Sequence, residues 1–346
     1  MISENTPLEV VDHVQDAFLR YYETQYWIKP QHLMDERRNL LLKNNALFSE
    51  PVVELINPYP ATEDAAAVCG SIGLSEEFAN RLTDIVFGAD FKLRPHQADA
   101  LLTTFNSGAV GKRNVIVTTG TGSGKTESFL IPLIARFMQE RECTPISGSL
   151  LQWWKTRHHS KDRWSGIRSN IRGAKPALRS LILYPTNALV EDQISRFRMA
   201  AMRASKHYEL PLFFFGRYTG ETVGGTWSPA ELGNLNATRA RQINDVASDL
   251  EEQFDIGEQF SGSERGAELF AVPMSGEMVT RWDMLESAPD VLISNTSMLN
   301  IMLLRENERS LFEQTKVWLE ESPENQFTLI VDELHAYRGT SGAEVA

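Results

Sequence analysis

The sequence predicts an α/β fold in which a doubly wound, mostly parallel sheet carries a phosphate-binding loop and follows a helical accessory region. Three observations carry this reading. Residues 115–118 are apolar or β-branched, Gly120, Gly122 and Gly124 permit a tight turn, and Lys125 and Thr126 open a helical pattern. Four further apolar runs, at 181–184, 212–215, 291–294 and 327–331, have the length of buried strands and end in polar or glycine-containing turns. A chain of 346 residues with 42% hydrophobic content can bury a sizeable core, enough for one large domain plus an accessory region or insertions.

Composition sets limits on function. The two cysteines, Cys69 and Cys143, show neither metal-ligand spacing nor a disulfide framework and read as packing thiols in a reducing compartment. No basic segment followed by an apolar one opens the chain, and no run approaches the length of a membrane span, so the expected location is the cytoplasm. The net charge of −12 argues against a uniformly basic nucleic-acid binder. Residues 151–180 nevertheless hold eight Lys/Arg and one Asp, a local +7 against −19 for the remainder, so contact with a polyanion is expected to be local.

In chain order, residues 7–43 read as helical, with Val10, Val14, Phe18, Tyr21 and Tyr22 at helical spacing and Leu33, Leu40 and Leu41 following Lys29-Pro30. Tyr21, Tyr22, Tyr26 and Trp27 lack a basic setting and are read as packing residues. A proline-rich linker follows, and Ser75 is expected to cap a helix over 76–87. Residues 1–87 thus form the accessory region and linker, and 88–346 the main domain. Arg94 and Gln97 then precede an apolar helix. A glutamine amide can donate to one adenine edge atom and accept from another, which suits Gln97 to reading that base.

The loop Gly120-Thr121-Gly122-Ser123-Gly124-Lys125-Thr126 departs from G-x-x-x-x-G-K-[ST] only at its first position, where Thr119 stands. Backbone N–H groups of residues 122–126 and the helix N-terminus favour the β- and γ-phosphates of a nucleoside triphosphate. Lys125 adds a mobile full charge, and the Thr126 hydroxyl is placed to ligate Mg²⁺. ATP and Mg²⁺ are therefore the expected cofactors.

Residues 141–180, basic and containing Trp153, Trp154 and Trp164, read as an insertion, of which residues 151–180 are expected to be mobile and to contact DNA, though a solvated basic face fits the same composition. The run from Tyr184 to Gln193 is a strand end, a turn and a helix start, and Pro185, Thr186 and Asn187 can meet a phosphate there; a plain helix cap fits equally. After the 212–215 strand, residues 223–290 read as a second insertion with a helix over 237–254. Asn295 and Thr296 repeat the polar strand-end arrangement, so two such turns at one sheet edge could track one backbone. The last strand runs into Asp332-Glu333-Leu334-His335, where Asp332 suits Mg²⁺ and Glu333 the polarisation of the attacking water.

This ordered set of motifs resembles the first RecA-like lobe of the superfamily 2 DEAD/DEAH-box helicases, over roughly residues 88–346. The resemblance implies that Arg94 and Gln97 lie on the nucleotide, that Lys125, Asp332, Glu333 and His335 serve hydrolysis, and that Pro185, Thr186, Asn187, Gln193, Asn295 and Thr296 hold nucleic acid. The acidic box is Asp-Glu-Leu-His and not Asp-Glu-Ala-Asp, and residues 332–339 look like the branch of large Lhr-related bacterial DNA-repair helicases. Similar large helicases occur in anti-phage systems such as DISARM and Druantia, so DNA and repair or defence proteins are the partners implied. The resemblance also implies that a second RecA-like lobe, with its arginine finger, belongs to a longer enzyme and that this portion alone is inactive. A nucleotide-gated DNA clamp that does not unwind, and an RNA helicase, use the same motifs and stay open.

Overall fold

The computed structural model describes residues 7–43, 47–49, 52, 59–89, 91–105, 114–120, 122–225, 227, 229, 234–260 and 264–337. The chain forms two compact units, Met1–Tyr59 and Pro60–Ala346. The first holds α1 (Pro7–Gln25) and α2 (Gln31–Leu42). Arg38 of α2 reaches Asp16 and Glu23 of α1 at 2.9 and 3.0 Å. Leu19 and Met34 are buried, while Tyr21, Tyr26 and Trp27 stand 65%, 57% and 67% exposed, against the expectation that they pack inward. Two short helices share one seam, which leaves the rest of each surface in water.

The second unit runs α3 (Ala65–Ser71), α4 (Glu76–Phe87), α5 (Pro95–Phe105), α6 (Lys125–Cys143), β1 (Ser180–Tyr184), α7 (Asn187–Ala204), β2 (Phe215–Tyr218), α8 (Ala237–Glu258), α9 (Glu264–Leu269), α10 (Arg281–Glu286), β3 (Val291–Asn295), α11 (Thr296–Leu304), α12 (Arg309–Glu321) and β4 (Thr328–Val331). The boundary between units falls at residues 59 and 60, so α3 and α4 pack with α5, α6 and α7 in the main core. Ser75 caps α4 as expected, its hydroxyl accepting from the Phe78 N–H at 3.1 Å, and Gly88 ends it at φ +78°.

The four strands are all parallel in the order β2-β3-β1-β4. Side chains alternate faces along each strand, and both faces are covered, which is why the strands read as continuous apolar runs. Ile182, Tyr184, Val291 and Ile293 join the core under α4, α6 and α7. Leu181, Leu183 and Leu292 join the core under α8, α10 and α11.

Two strand expectations differ from the structure. Residues 115–118 lie outside any ladder, with Val115 and Ile116 42% and 84% exposed. Both edges of β1 are taken by β3 and β4, and the run joins neither outer strand, so its β-branched pattern alone does not make it a strand. The run at 212–215 is displaced, since β2 starts at Phe215 and passes through Gly216. A Cβ on Gly216 would sit 2.6 Å from Met284 Sδ and 2.8 Å from the Met278 carbonyl, so glycine serves close approach here and does not end the strand.

The basic segment before β1 is packed, in contrast to the mobile insertion expected. Trp153, Trp154 and Trp164 are 1%, 5% and 2% exposed. They meet Trp282 of α10 and Phe254 of α8 in a network of edge and tilted ring contacts. Asp283 anchors the segment by accepting from Trp153 Nε1 at 3.0 Å and from the Ile167 N–H at 2.8 Å. Three of its eight cations are neutralised internally, since Arg168 and Arg179 pair with Asp290 and Lys175 with Glu321. Lys155, Arg157, Lys161 and Arg163 remain exposed.

Candidate nucleotide and nucleic-acid site

The phosphate loop is built against the start of α5. Gln97 is 2% exposed; its Nε2 donates to the Gly124 carbonyl at 3.1 Å while its Oε1 accepts from the Arg94 N–H at 3.0 Å. Arg94 Nη1 donates to the Gly122 carbonyl at 2.9 Å. Both side chains thus brace the loop in this state, and reading an adenine edge requires Gln97 to exchange these bonds. Gly124 is left-handed at φ +77°, and a Cβ there would lie 2.6 Å from Gln97 Nε2, so only glycine lets brace and loop meet. Thr119, the departure from the motif, bonds hydroxyl to hydroxyl with buried Ser123 at 2.6 Å. Gly120 and Gly122 are exposed, and Thr121 lies outside the described residues.

Lys125 and Thr126 open α6, a 19-residue helix whose N-terminal N–H groups face the loop with partial positive charge. Lys125 is half-buried and makes no ion pair among the described residues. Glu127, in the first turn of α6, pairs through Oε1 with Arg196 of α7 while its Oε2 faces Gly124 of the loop.

The acidic box is placed by the sheet. The Asp332 N–H donates to the Leu183 carbonyl at 3.1 Å, extending the β1–β4 ladder by one residue and setting Asp332 opposite Tyr184. Ile330 packs on the α6 side and Val331 on the other, so alternation returns Asp332 to the face that α6 covers. Glu333 follows at φ +51°, a left-handed conformation uncommon for a residue with a side chain, and its N–H donates to Asp332 Oδ1 at 2.8 Å. His335 Nδ1 lies 3.2 Å from Glu333 Oε2.

Two phenols flank Asp332. Burial, with the Asp332 charge beside it, pushes the Tyr184 hydroxyl well above the usual tyrosine range, and the same causes push Tyr337 up to about 12. Neither hydroxyl has a hydrogen-bond partner among the described residues. Sequence reading used Tyr184 only as a strand end, and its one signal was a polar aromatic standing immediately before a functional turn.

The two strand-end turns come together. Thr186 caps α7 by accepting from the Leu189 N–H at 3.4 Å, and Asn295 caps α11 by accepting from the Met298 N–H at 2.7 Å. Asn295 Nδ2 also donates to Asn187 Oδ1 at 2.5 Å, a tie the sequence could not show. Pro185 and Thr296 are half-buried beside them, whereas Gln193 is buried on α7 and apart from the exposed turn.

These groups fit a nucleotide phosphate with a divalent ion. The loop offers left-handed glycines and an uncommitted ammonium at a helix N-terminus, and Asp332 faces the same side of the sheet. Among the described residues no group of three or more His, Cys, Asp or Glu could hold a metal by protein ligands alone, so the ion would also need phosphate and water oxygens. No described helix is long and apolar enough to cross a membrane.

Comparison with known proteins agrees with this geometry. Residues 94–220 match the family model described as DEAD/DEAH box helicase, a stretch that includes Arg94, Gln97, the phosphate loop and the Pro185–Thr186 turn. The chain is 30% identical to the Druantia protein DruE of Escherichia coli, over 98% of this chain and 19% of that protein. It is 24% identical to an uncharacterized ATP-dependent helicase of Methanocaldococcus jannaschii, over 78% of this chain and 24% of that protein. The chain therefore spans about a fifth to a quarter of the length of these relatives. With a four-stranded parallel sheet covered by helices and a phosphate loop inside the matched stretch, the chain is α/β of the RecA-like kind and carries a DEAD/DEAH box helicase domain.

Proposed function

We propose that the chain is the nucleotide-binding portion of an ATP-dependent DNA helicase or translocase working in the cytoplasm. The observation that carries this is the placement of uncommitted Lys125, at the N-terminus of α6, on the same sheet face as Asp332. Mg²⁺ bound with ATP would supply neutralisation of the charge on the phosphates. Around it, Gly120 to Thr126 cradle the phosphates, Lys125 points its charge at them, and Thr126 and Asp332 hold the ion. Glu333 orients and polarises the attacking water, and His335 steadies the Glu333 carboxylate. Arg94 and Gln97 fix the loop and, on exchanging their bonds, meet the base.

Pro185, Thr186, Asn187, Asn295 and Thr296 present helix N-termini to the phosphates of one strand, while Gln193, buried on α7, stays out of that contact. DNA is favoured over RNA by the Asp-Glu-Leu-His box, and a role in anti-phage defence by the likeness to a Druantia protein. The measurement that tests the reading is ATP hydrolysis by the full-length enzyme with single-stranded DNA, duplex DNA or RNA, followed by strand displacement. Lys125→Ala is expected to abolish DNA-stimulated hydrolysis, and retained activity would reject the assignment. Stimulation by RNA alone favours the RNA helicase, and hydrolysis without displacement favours the clamp.

A further inference from the structure

We infer that Tyr184 is a positioning residue for the nucleotide site, its hydroxyl held in reserve for the oxygen shell that Asp332 organises when Mg-nucleotide binds. The inference rests on the ATP-binding reading above. Tyr184 is 1% exposed, yet its hydroxyl has no partner among the described residues. A buried hydroxyl without a partner loses its water and gains nothing, so such a group in a folded chain calls for an explanation. Leucine or phenylalanine would fill the same place in the core without that penalty.

Register says where the hydroxyl belongs. Tyr184 stands opposite Asn295 on β3 and, through the bond from the Asp332 N–H to the Leu183 carbonyl, opposite Asp332 beyond β4. Residues opposite one another in parallel strands point to one face, so Tyr184 and Asp332 share the α6 face. The nearness of Asp332 and Glu333 is felt electrostatically at the phenol, though no direct hydrogen bond joins them. A phenol beside a carboxylate it does not touch can donate to an oxygen lodged against that carboxylate, such as water or phosphate oxygen around a divalent ion. Because Pro185-Thr186 follows at once, the same residue joins the nucleotide side of the sheet edge to the strand-contacting turn.

The test is Tyr184→Phe, with Tyr208→Phe as control, since Tyr208 also carries a partly buried hydroxyl without a partner but belongs to neither site. Thermal unfolding without nucleotide should leave both variants as stable as the parent or raise Tm by about 1–3 °C, because each loses an unsatisfied group. ATP affinity is then measured with Mg²⁺ and with EDTA. Tyr184→Phe should weaken binding about 5- to 20-fold with Mg²⁺, the worth of one hydrogen bond to a charged shell, and leave binding in EDTA unchanged. Tyr208→Phe should match the parent in both. A lowered Tm without nucleotide, or an unaltered affinity with Mg²⁺, would overturn the inference. If the parent itself shows no Mg-dependent ATP binding, the ATP reading fails and takes this one with it.

Discussion

Glu333 carries the most informative single backbone angle in the site. A non-glycine residue at φ +51° persists only where its surroundings impose it, and here the bond from its N–H to Asp332 Oδ1 and the contact with His335 do so. The turn separates two carboxylates adjacent in sequence, leaving Asp332 on the α6 face and setting Glu333 against His335. Glu333→Gln should therefore bind Mg-ATP within about threefold of the parent and lose hydrolysis by a hundredfold or more, the usual worth of a positioned base. Equilibrium nucleotide binding and single-turnover hydrolysis check this, and loss of binding would show that the roles are not divided. Asp283 is the opposite case, a carboxylate buried for structure. Burial lifts it from 3.8 to about 6, against the lowering effect of its bonds from Thr280, Ile167 and Trp153. A carboxyl whose folded pKa lies above its unfolded value binds its proton more readily when folded, so stability falls as pH rises from about 4 to 6 and the cost is fully present above that. Asp283→Asn should lack this slope, so the parent gains on it as pH drops from 7 to 5 in denaturant titrations. Asp283→Ala, which strands the Trp153 and Ile167 donors, should lose about 2–4 kcal/mol at either pH.

Among the elements, those whose signals are local were legible in the sequence and those set by distant partners were not. The Ser75 cap fixed the start of α4, apolar spacing fixed α6 and α8, and β1 and β3 came within a residue of their apolar runs. Residues 115–118 failed because pairing is a property of two segments, and β2 shifted because Gly216 answers to Met278 and Met284, more than 60 residues away. In the site, residue types announced the phosphate loop and the acidic box. The bracing role of Gln97, the tie from Asn187 to Asn295 and the reserve hydroxyl of Tyr184 depend on contacts no spacing encodes. The basic segment before β1 was half legible, since its tryptophans are scaffold while Lys155, Arg157, Lys161 and Arg163 stay on the surface. A cleft of about 540 Å³ lies beside Lys155 and Arg157, between residues 154–160 and α8, with Arg241 on its helical wall and Asp245 and Glu251 also facing it. Replacing those four cations by Ala should lower DNA affinity and reduce the log-log salt slope by about one unit for each phosphate left without its cation. Unchanged affinity and slope would make the segment a solvated face of the fold.

At the scale of the whole molecule, the C-terminal edge of the sheet places the acidic box, proposed for the nucleotide, and the two capped turns, proposed for nucleic acid, in one row. Asn295 on β3, Tyr184 on β1 and Asp332 just beyond β4 stand side by side, and the bond from Asn295 to Asn187 closes the row across α7 and α11. We expect binding at the two places to be coupled, and any such coupling is reciprocal: whatever factor Mg-ATP applies to DNA affinity, DNA applies to Mg-ATP affinity, within a usual range of about 5- to 150-fold. Asn187→Ala cuts the tie yet spares both helix caps, because Thr186 and Asn295 keep their bonds to Leu189 and Met298. The variant should fold with parental stability, bind Mg-ATP alone within about threefold, bind DNA alone more weakly through the lost Asn187 contact, and show a coupling factor reduced toward one when all four equilibria of the cycle are measured. A coupling factor unchanged by Asn187→Ala would move the connection to Tyr184 and the turn that follows it, since the β1 backbone is then the remaining direct link between the two ends of the row.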